Sequence, residues 1–165
     1  GYTNGWEDNT DAFFVGSETQ AQVTLRTAHD DENLYFLVSR LDEFITDRDT
    51  ATVCIAAGTA SDYRITVGLD GIRSIEYYQN GAKQATLTGG TAAVRVLGTP
   101  NDNADRDEGF VVEFSIPKAL VGMTGKKSFK ARLALVNGDG AGETADTMSV
   151  SLYSTAKWPA VVLDD

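Results

Sequence analysis

The alternation of apolar and polar residues over residues 22–41 predicts two β-strands joined by an acidic turn. Val23 and Leu25 alternate with polar neighbours, which is the pattern of a strand with one buried face. Residues 28–33 are mostly polar and contain Asp and Asn, which favour turns because their side chains bond nearby backbone groups. Residues 34–39 are largely apolar on both faces, which predicts a central position in a sheet.

Similar alternating stretches recur along the rest of the chain. They cover residues 12–15, 50–57, 63–69, 72–79, 83–88, 92–97, 110–116, 129–135 and 148–152. Asp70-Gly71 and Asn80-Gly81 are dipeptides typical of tight two-residue hairpins, so the strands on either side of each are expected to be antiparallel neighbours.

Only one short segment has a helical signal. Residues 117–121 are opened by Pro117 and closed by Gly122, which predicts a helical turn. Roughly ten short strands without a segment of helical period and length predict an all-β fold. We expect a single-domain antiparallel β-sandwich, of jelly-roll type, over residues 1–165.

The composition narrows the classes of partner. Acidic residues number 24 against 14 Lys and Arg, giving a net charge of −10. This balance argues against nucleic acid or an anionic membrane as partner, since both require clustered cations. No apolar run approaches the about 18 to 20 residues that cross a bilayer. Cys54 is the one cysteine, and we expect a buried, inert thiol. The chain begins at Gly1, so we expect neighbouring domains or a targeting segment in a longer protein.

Several motifs in a fixed order resemble a known family. They are Trp6 before an apolar stretch, AHDDENLYFLV at residues 28–38, GFVVEFSIP at 109–117 and ARLALVN at 131–137. In this order they resemble carbohydrate-binding module family 9 and the wider DOMON-like sandwiches. The resemblance implies a sugar held between two tryptophans, one before the third strand and one late in the chain, together with bound calcium.

The aromatic residues suggest where a sugar could stack. Aromatic rings bind the C–H faces of sugars, and polar side chains around them bond the hydroxyls. Trp158 lies beside a proline in a predicted loop, where it either binds sugar or closes one end of the sandwich. Tyr77 and Tyr78 point to opposite faces of one strand, so one of them is expected to be exposed. Trp6 is expected to be buried, because apolar residues follow it closely.

The resemblance assigns roles to some of these residues and departs from the family at one point. Trp158 matches the late tryptophan, but residues 42–49 contain no tryptophan, so Phe44 is the available ring in that loop. Arg48, Asp47 and Asp49 are expected to supply hydrogen bonds there.

A structural Ca²⁺ site is predicted in the long acidic loop after residue 97. Its candidate ligands are Asn101, Asn103, Asp105 and Asp107. Oxygen-bearing side chains alternate in this loop, and Ca²⁺ takes six to eight oxygen ligands. The turn at residues 30–32 is a second candidate, and a solvated acidic loop explains both segments without a metal.

Catalytic signals are weak, and we expect no enzyme. His29 has no nucleophile motif such as G-x-S-x-G near it. Glu76 and Glu113 are the only carboxylates on strands that we nominate as a glycosidase pair, and a solvated sheet face explains both.

The sequence therefore predicts a non-catalytic carbohydrate-binding accessory module of a secreted or cell-surface bacterial polysaccharide-degrading protein. Two alternatives stay open. One is a haem-binding DOMON-type electron-transfer domain with His29 and either Met123 or Met148 as axial ligands. The other is a structural or adhesive spacer domain.

Overall fold

A computed structural model describes residues 6, 13–17, 21–58, 60–102, 104–139, 144–147 and 158–163. For residues 144–147 it describes the backbone alone. The statements below concern these residues. They form the strands β1 (Phe13–Gly16), β2 (Ala21–His29), β3 (Asn33–Asp42), β4 (Thr50–Ala56), β5 (Ser61–Gly68), β6 (Gly71–Gln79), β7 (Ala82–Leu87), β8 (Thr91–Leu97), β9 (Gly109–Pro117), β10 (Ser128–Asn137), β11 (Thr144–Thr147) and β12 (Ala160–Val162).

The strands form two antiparallel sheets. Sheet A has the order β1-β2-β3-β9-β8, and sheet B has the order β11-β10-β4-β5-β6-β7, with β12 also pairing β10. Antiparallel pairing follows from the short links, since a parallel pair would need a long crossover connection. The predicted all-β sandwich is therefore confirmed, and β3 lies centrally between β2 and β9 as expected.

The inward faces of the two sheets form the core. Alternate residues of most strands enter or pack against one apolar cluster, which includes Val23 and Leu25 of β2 and Val53 and Ile55 of β4. The apolar stretches of the sequence thus face each other across the sandwich, where burial of their side chains stabilises the fold.

A buried arginine joins the two sheets at one end. Arg40 points inward from β3 and is only 1% exposed. Its terminal nitrogen Nη2 donates to Asp42 at 2.6 Å, to Asp49 at 2.9 Å and to the side chain of Asn137 at 2.8 Å. Its Nη1 donates to the carbonyl of Val136 at 2.8 Å, in sheet B. We call these five residues the Arg40 hub. Burial raises the pKa of Asp42, although the neighbouring guanidinium opposes this shift.

Two segments differ from the predictions. Residues 117–121, predicted as a helical turn, contain no helix and form a hydrogen-bonded turn instead. In this turn the Leu120 N–H donates to the Pro117 carbonyl at 2.9 Å. Strand β11 occupies part of the predicted loop at 137–146, and the predicted strand at 148–152 lies outside the described residues. Within the described ranges there is no helix long and apolar enough to cross a membrane.

The free edges of the sheets differ in how they are protected. β7, at the edge of sheet B, has a register irregularity opposite Tyr77 and Tyr78 and carries Lys83, both of which discourage pairing with another strand. β8, at the edge of sheet A, pairs β9 without a break over its 7 residues, and most of its side chains are exposed. Its sequence, TAAVRVL, contains one charge.

Candidate functional site

The outer face of sheet B carries a group of charged and aromatic side chains. The group consists of Asp62, Arg64, Glu76, Tyr78 and Lys83, and we call it the Tyr78 platform. Strand register places Arg64 opposite Glu76, Asp62 opposite Tyr78, and Tyr78 opposite Lys83. These residues alternate with core residues such as Ile65 and Ile75, so they point away from the core.

An arginine lies on the face of the tyrosine ring in the platform. The Cζ atom of Arg64 lies 3.5 Å from the centroid of the Tyr78 ring, a cation–π contact. The Nε of Arg64 donates to the Asp62 carboxylate at 2.7 Å, and Asp62 is buried. In the described part of the chain, Arg64 makes no other hydrogen bond, so its terminal nitrogens are free to donate to a ligand.

Glu76 connects the tyrosine to the lysine. Its carboxylate accepts from the Tyr78 hydroxyl at 3.1 Å and forms an ion pair with Lys83. The hydrogen bond from Lys83 lowers the pKa of Glu76, so this carboxylate is ionised at neutral pH. Burial, followed by the bond to Glu76, raises the pKa of Tyr78, whose hydroxyl therefore stays protonated. The platform thus offers an anionic acceptor, cationic donors and an aromatic ring on the outer face of one sheet.

Trp158 lies on the same outer face, but it is buried. Its side chain is 1% exposed and forms a small cluster with Cys54 and Ala56 of β4. Cys54 is opposite Arg64 in register, so Trp158 covers the strand next to the platform. Of the two roles considered for Trp158, this burial matches that of a residue covering the sandwich, and it leaves no exposed indole surface for a sugar.

Cys54 is buried, as predicted, but in a different place. It points outward from sheet B beneath Trp158, while its neighbours Val53 and Ile55 enter the main core. Burial raises the pKa of the Cys54 thiol to about 11, which keeps it protonated and unreactive.

Tyr77 and Tyr78 point to opposite faces, as the sequence indicated, but both are half-buried, so the expectation that one of them is exposed is wrong. Tyr77 lies on the inner side of sheet B, where its ring packs against that of Tyr63 with centroids 5.0 Å apart. Tyr77 is therefore separated from the platform by the sheet itself.

Phe44 and Arg48 lie at the other end of the sandwich. They precede β4, whereas Trp158 packs against its last residue, and the 7 residues of β4 span about 20 Å. Arg48 donates to the Gly138 carbonyl, and Asp49 is fully buried in the Arg40 hub. The structure therefore does not bring Phe44 and Trp158 together as a clamp, and Asp49 is enclosed rather than available to a sugar.

The predicted calcium loop is held by its own hydrogen bonds. The candidate ligands were Asn101, Asn103, Asp105 and Asp107, of which Asn103 lies outside the described residues. The two Asp107 oxygens accept the backbone N–H groups of Ile45 at 2.8 Å and Thr99 at 2.7 Å. The described residues contain no group of three His, Cys, Asp or Glu side chains that could hold a metal. Calcium binding stays a prediction.

The two carboxylates nominated as a catalytic pair are far apart. Trp6 is buried, as predicted, and its indole N–H donates to Glu113 at 3.4 Å. Glu113 points outward from sheet A, since its neighbours Val112 and Phe114 are core residues, whereas Glu76 points outward from sheet B. Two packed sheets, about 10 Å apart, separate these carboxylates, so they cannot flank one glycosidic bond. Trp6 thus covers the outer face of sheet A rather than filling the interior.

The residues proposed as haem ligands lie in unlike surroundings. Met123 is fully buried in the main core, where its thioether is surrounded by apolar side chains. His29 lines a shallow surface depression with Lys118, Lys126 and Lys127. Met148 lies outside the described residues. The haem alternative stays untested.

Comparison with known proteins shows likeness in structure only. No family model matches the chain, and neither does any curated protein. A family 9 carbohydrate-binding module from Caldicellulosiruptor kristjanssonii in complex with cellotriose is 15% identical, with a TM-score of 0.64, and the match covers 97% of this chain and 85% of that one. A family 9 module of the same organism in complex with glucose is 15% identical, with a TM-score of 0.65 and coverage of 98% and 87%.

A third structure has the same fold. A Bacteroides uniformis protein inferred to bind carbohydrate is 10% identical, with a TM-score of 0.61 and coverage of 93% of this chain and 87% of that one. Identities this low establish a shared fold and no more. The fold of this chain is therefore similar to that of family 9 carbohydrate-binding modules over almost its whole length.

Proposed function

We propose that this chain is a non-catalytic carbohydrate-binding module that binds sugar at the Tyr78 platform. The observation that carries the proposal is the guanidinium of Arg64 stacked on the Tyr78 ring between two carboxylates, on an outward sheet face. In its natural setting the module would belong to a secreted or cell-surface bacterial protein that degrades polysaccharides. It would hold the neighbouring domains of that protein close to their substrate.

The chemistry of the platform suits a neutral sugar. Carboxylates accept hydrogen bonds from vicinal hydroxyls, and the terminal N–H groups of Arg64 and the Lys83 ammonium donate to ring and hydroxyl oxygens. The face of the Tyr78 ring that Arg64 does not cover would supply a surface for sugar C–H groups. The fold neighbours bound to cellotriose and glucose support β-linked glucose as the first ligand class to examine.

Isothermal titration calorimetry with glucose and cellotriose tests the proposal. We expect binding by the wild-type chain, and an affinity at least about tenfold weaker in Tyr78→Ala, equivalent to about 1.4 kcal/mol. Glu76→Gln retains the shape but removes the charge, and we expect a smaller loss because a neutral amide forms weaker bonds with hydroxyls.

The control for ring removal is Phe14→Ala. Phe14 is 64% exposed on the outer face of sheet A, the opposite side of the molecule, and its removal should leave the affinity for these sugars unchanged. Equal losses in Tyr78→Ala and Phe14→Ala, or no binding of a panel of neutral glycans by the wild type, would refute the proposed site.

A further inference from the structure

A second depression lies on the opposite outer face, on sheet A. It has a volume of about 170 Å³ and is lined by Thr24 and Arg26 of β2 and by Leu37, Ser39 and Leu41 of β3. All five alternate with core residues of these two central strands, so they point outward. Two hydroxyls and one guanidinium therefore surround a small apolar floor, on rigid neighbouring strands.

The guanidinium in this depression has unused hydrogen-bonding capacity. The Nε of Arg26 is buried and has no hydrogen-bond partner within the described part of the chain. A polar donor without a partner is unfavourable, so a ligand that brings an acceptor to this guanidinium supplies a hydrogen bond that no described residue supplies. The nearest acid in the same row of the sheet is Glu113, two strands away, which already accepts from Trp6. Arg26 therefore has no carboxylate of the described chain beside it.

The surroundings of the depression are apolar as well as polar. Leu37 points outward and yet is 1% exposed, so it forms a closed floor. Leu41 is 59% exposed at the rim, and Phe14 pairs with Thr24 in register, which places its exposed ring beside the same site. These two are among the few large apolar side chains that are exposed in the described residues. A ligand that fits must therefore combine an apolar surface, hydroxyls and an acceptor for Arg26.

We propose that this depression binds a hexuronate, a sugar unit that carries a carboxylate. The carboxylate accepts from the Arg26 guanidinium, which matches its geometry and charge. Thr24 and Ser39 bond the sugar hydroxyls, while Leu41 and Phe14 contact the C–H face. This site is independent of the Tyr78 platform, because the two lie on opposite faces of the sandwich.

An amide-resolved NMR titration with glucuronate tests the inference, and glucose serves as the matched ligand without the carboxylate. We expect saturable shifts at Thr24, Arg26 and Ser39 with glucuronate and none at these positions with glucose. Arg26→Gln should weaken glucuronate binding at least tenfold. Arg95→Gln is the matched variant, since Arg95 also points outward from sheet A but does not line the depression, and it should bind as the wild type does.

Thermal melts check that Arg26→Gln folds. Ser39→Ala is a second variant with little effect on packing, and we expect it to lose less affinity for glucuronate than Arg26→Gln. The inference is overturned if glucose shifts the same amides as strongly, if Arg95→Gln loses as much affinity as Arg26→Gln, or if no shifts occur up to the solubility of glucuronate. Glucuronate shifts confined to Glu76 and Tyr78 would assign the acid sugar to the platform and also overturn it. If Tyr78→Ala abolishes sugar binding at the Tyr78 platform, the amide shifts at Thr24, Arg26 and Ser39 should stay the same, so the two proposals can be tested separately.

Discussion

Replacing Arg40 with methionine should destabilise the fold strongly. Methionine retains much of the aliphatic length of arginine but removes the guanidinium at the centre of the Arg40 hub. Asp42 and Asp49, whose side chains are both fully buried, would then face each other without a cation. Asn137 and the carbonyl of Val136 would lose their donor as well.

The size of the effect follows from the burial of these charges. Removing one partner from a buried ion pair costs about 3–5 kcal/mol, because the remaining charge is left without compensation. In a domain of this size, 1 kcal/mol lowers Tm by about 2–4 °C, so we expect a fall of about 6–20 °C. Such a loss is a large part of the total stability of a typical domain, about 5–15 kcal/mol.

Urea unfolding and thermal melts followed by circular dichroism measure the change, with Arg95→Met as the control. Arg95 is exposed on β8, and its replacement should change stability by no more than about 0.5 kcal/mol. The deficit of Arg40→Met should shrink as pH is lowered, because protonation of Asp42, whose pKa burial already raises, removes its unpaired charge. A deficit under about 1 kcal/mol at pH 7, or one independent of pH, would contradict the role given to the hub.

Three further outcomes follow from the structure. Cys54, with its pKa raised to about 11, should react with a thiol reagent at pH 8 about a hundredfold more slowly than an ordinary cysteine. Trp158→Ala should restore much of the reaction rate, because the indole covers this thiol. A fast reaction in the wild type would contradict the burial of both residues. Hydrogen bonds from Tyr35 and two backbone amides lower the pKa of Asp30 from 3.8 to about 2, so its contribution to stability is present above pH 4 and is lost as pH falls toward 2. Asp30→Asn should therefore lower Tm at pH 7 by an amount that disappears near pH 2, and a loss of Tm that is equal at both pH values would contradict this role. Removal of calcium with EDTA tests the calcium site predicted from the sequence: if calcium is bound there, Tm should fall and CaCl₂ should restore it, whereas an unchanged Tm would contradict the site.

The strands could be predicted from the sequence because burial of one sheet face imposes a period of two residues. The predicted hairpin at Asn80-Gly81 is an example, since both residues have positive φ, 50° and 79°, as a type I′ turn requires. Leu34 to Val38 likewise form a central strand because both faces of β3 are covered.

The platform could not be predicted, because it depends on a register shift. A two-residue loop at Asp70-Gly71 would place Arg64 opposite Tyr77. The loop instead lies one residue earlier, since Gly68 pairs Gly71, and a further irregularity follows between Thr66 and Val67. Arg64 therefore pairs Glu76, and its outward neighbour on β6 is Tyr78. A shift of one residue exchanges the two faces of a strand, which is why the sequence alone left open which tyrosine points outward.

The burial of Trp158 also could not be predicted from the sequence. A tryptophan beside a proline near the chain end gives no indication of which strand it will meet. Here β12 pairs β10, which places Trp158 over the small side chains of Cys54 and Ala56 on the outside of sheet B. The small side chains of Cys54 and Ala56 leave room for an indole, which is the one indication in the sequence. Trp158 is more than a hundred residues away along the chain, so the sequence does not show that these residues meet.

Among the described residues no second strand pairs with β8, so the acidity of the chain opposes polymerisation through that edge. Each copy carries a net charge of −10, so two copies repel before their edges meet. At 1 M salt this repulsion reaches only about 3 Å, and a strand of one copy could then continue the sheet of another. Concentrated, salty solutions are therefore the conditions in which this protein is most prone to assemble through its backbone.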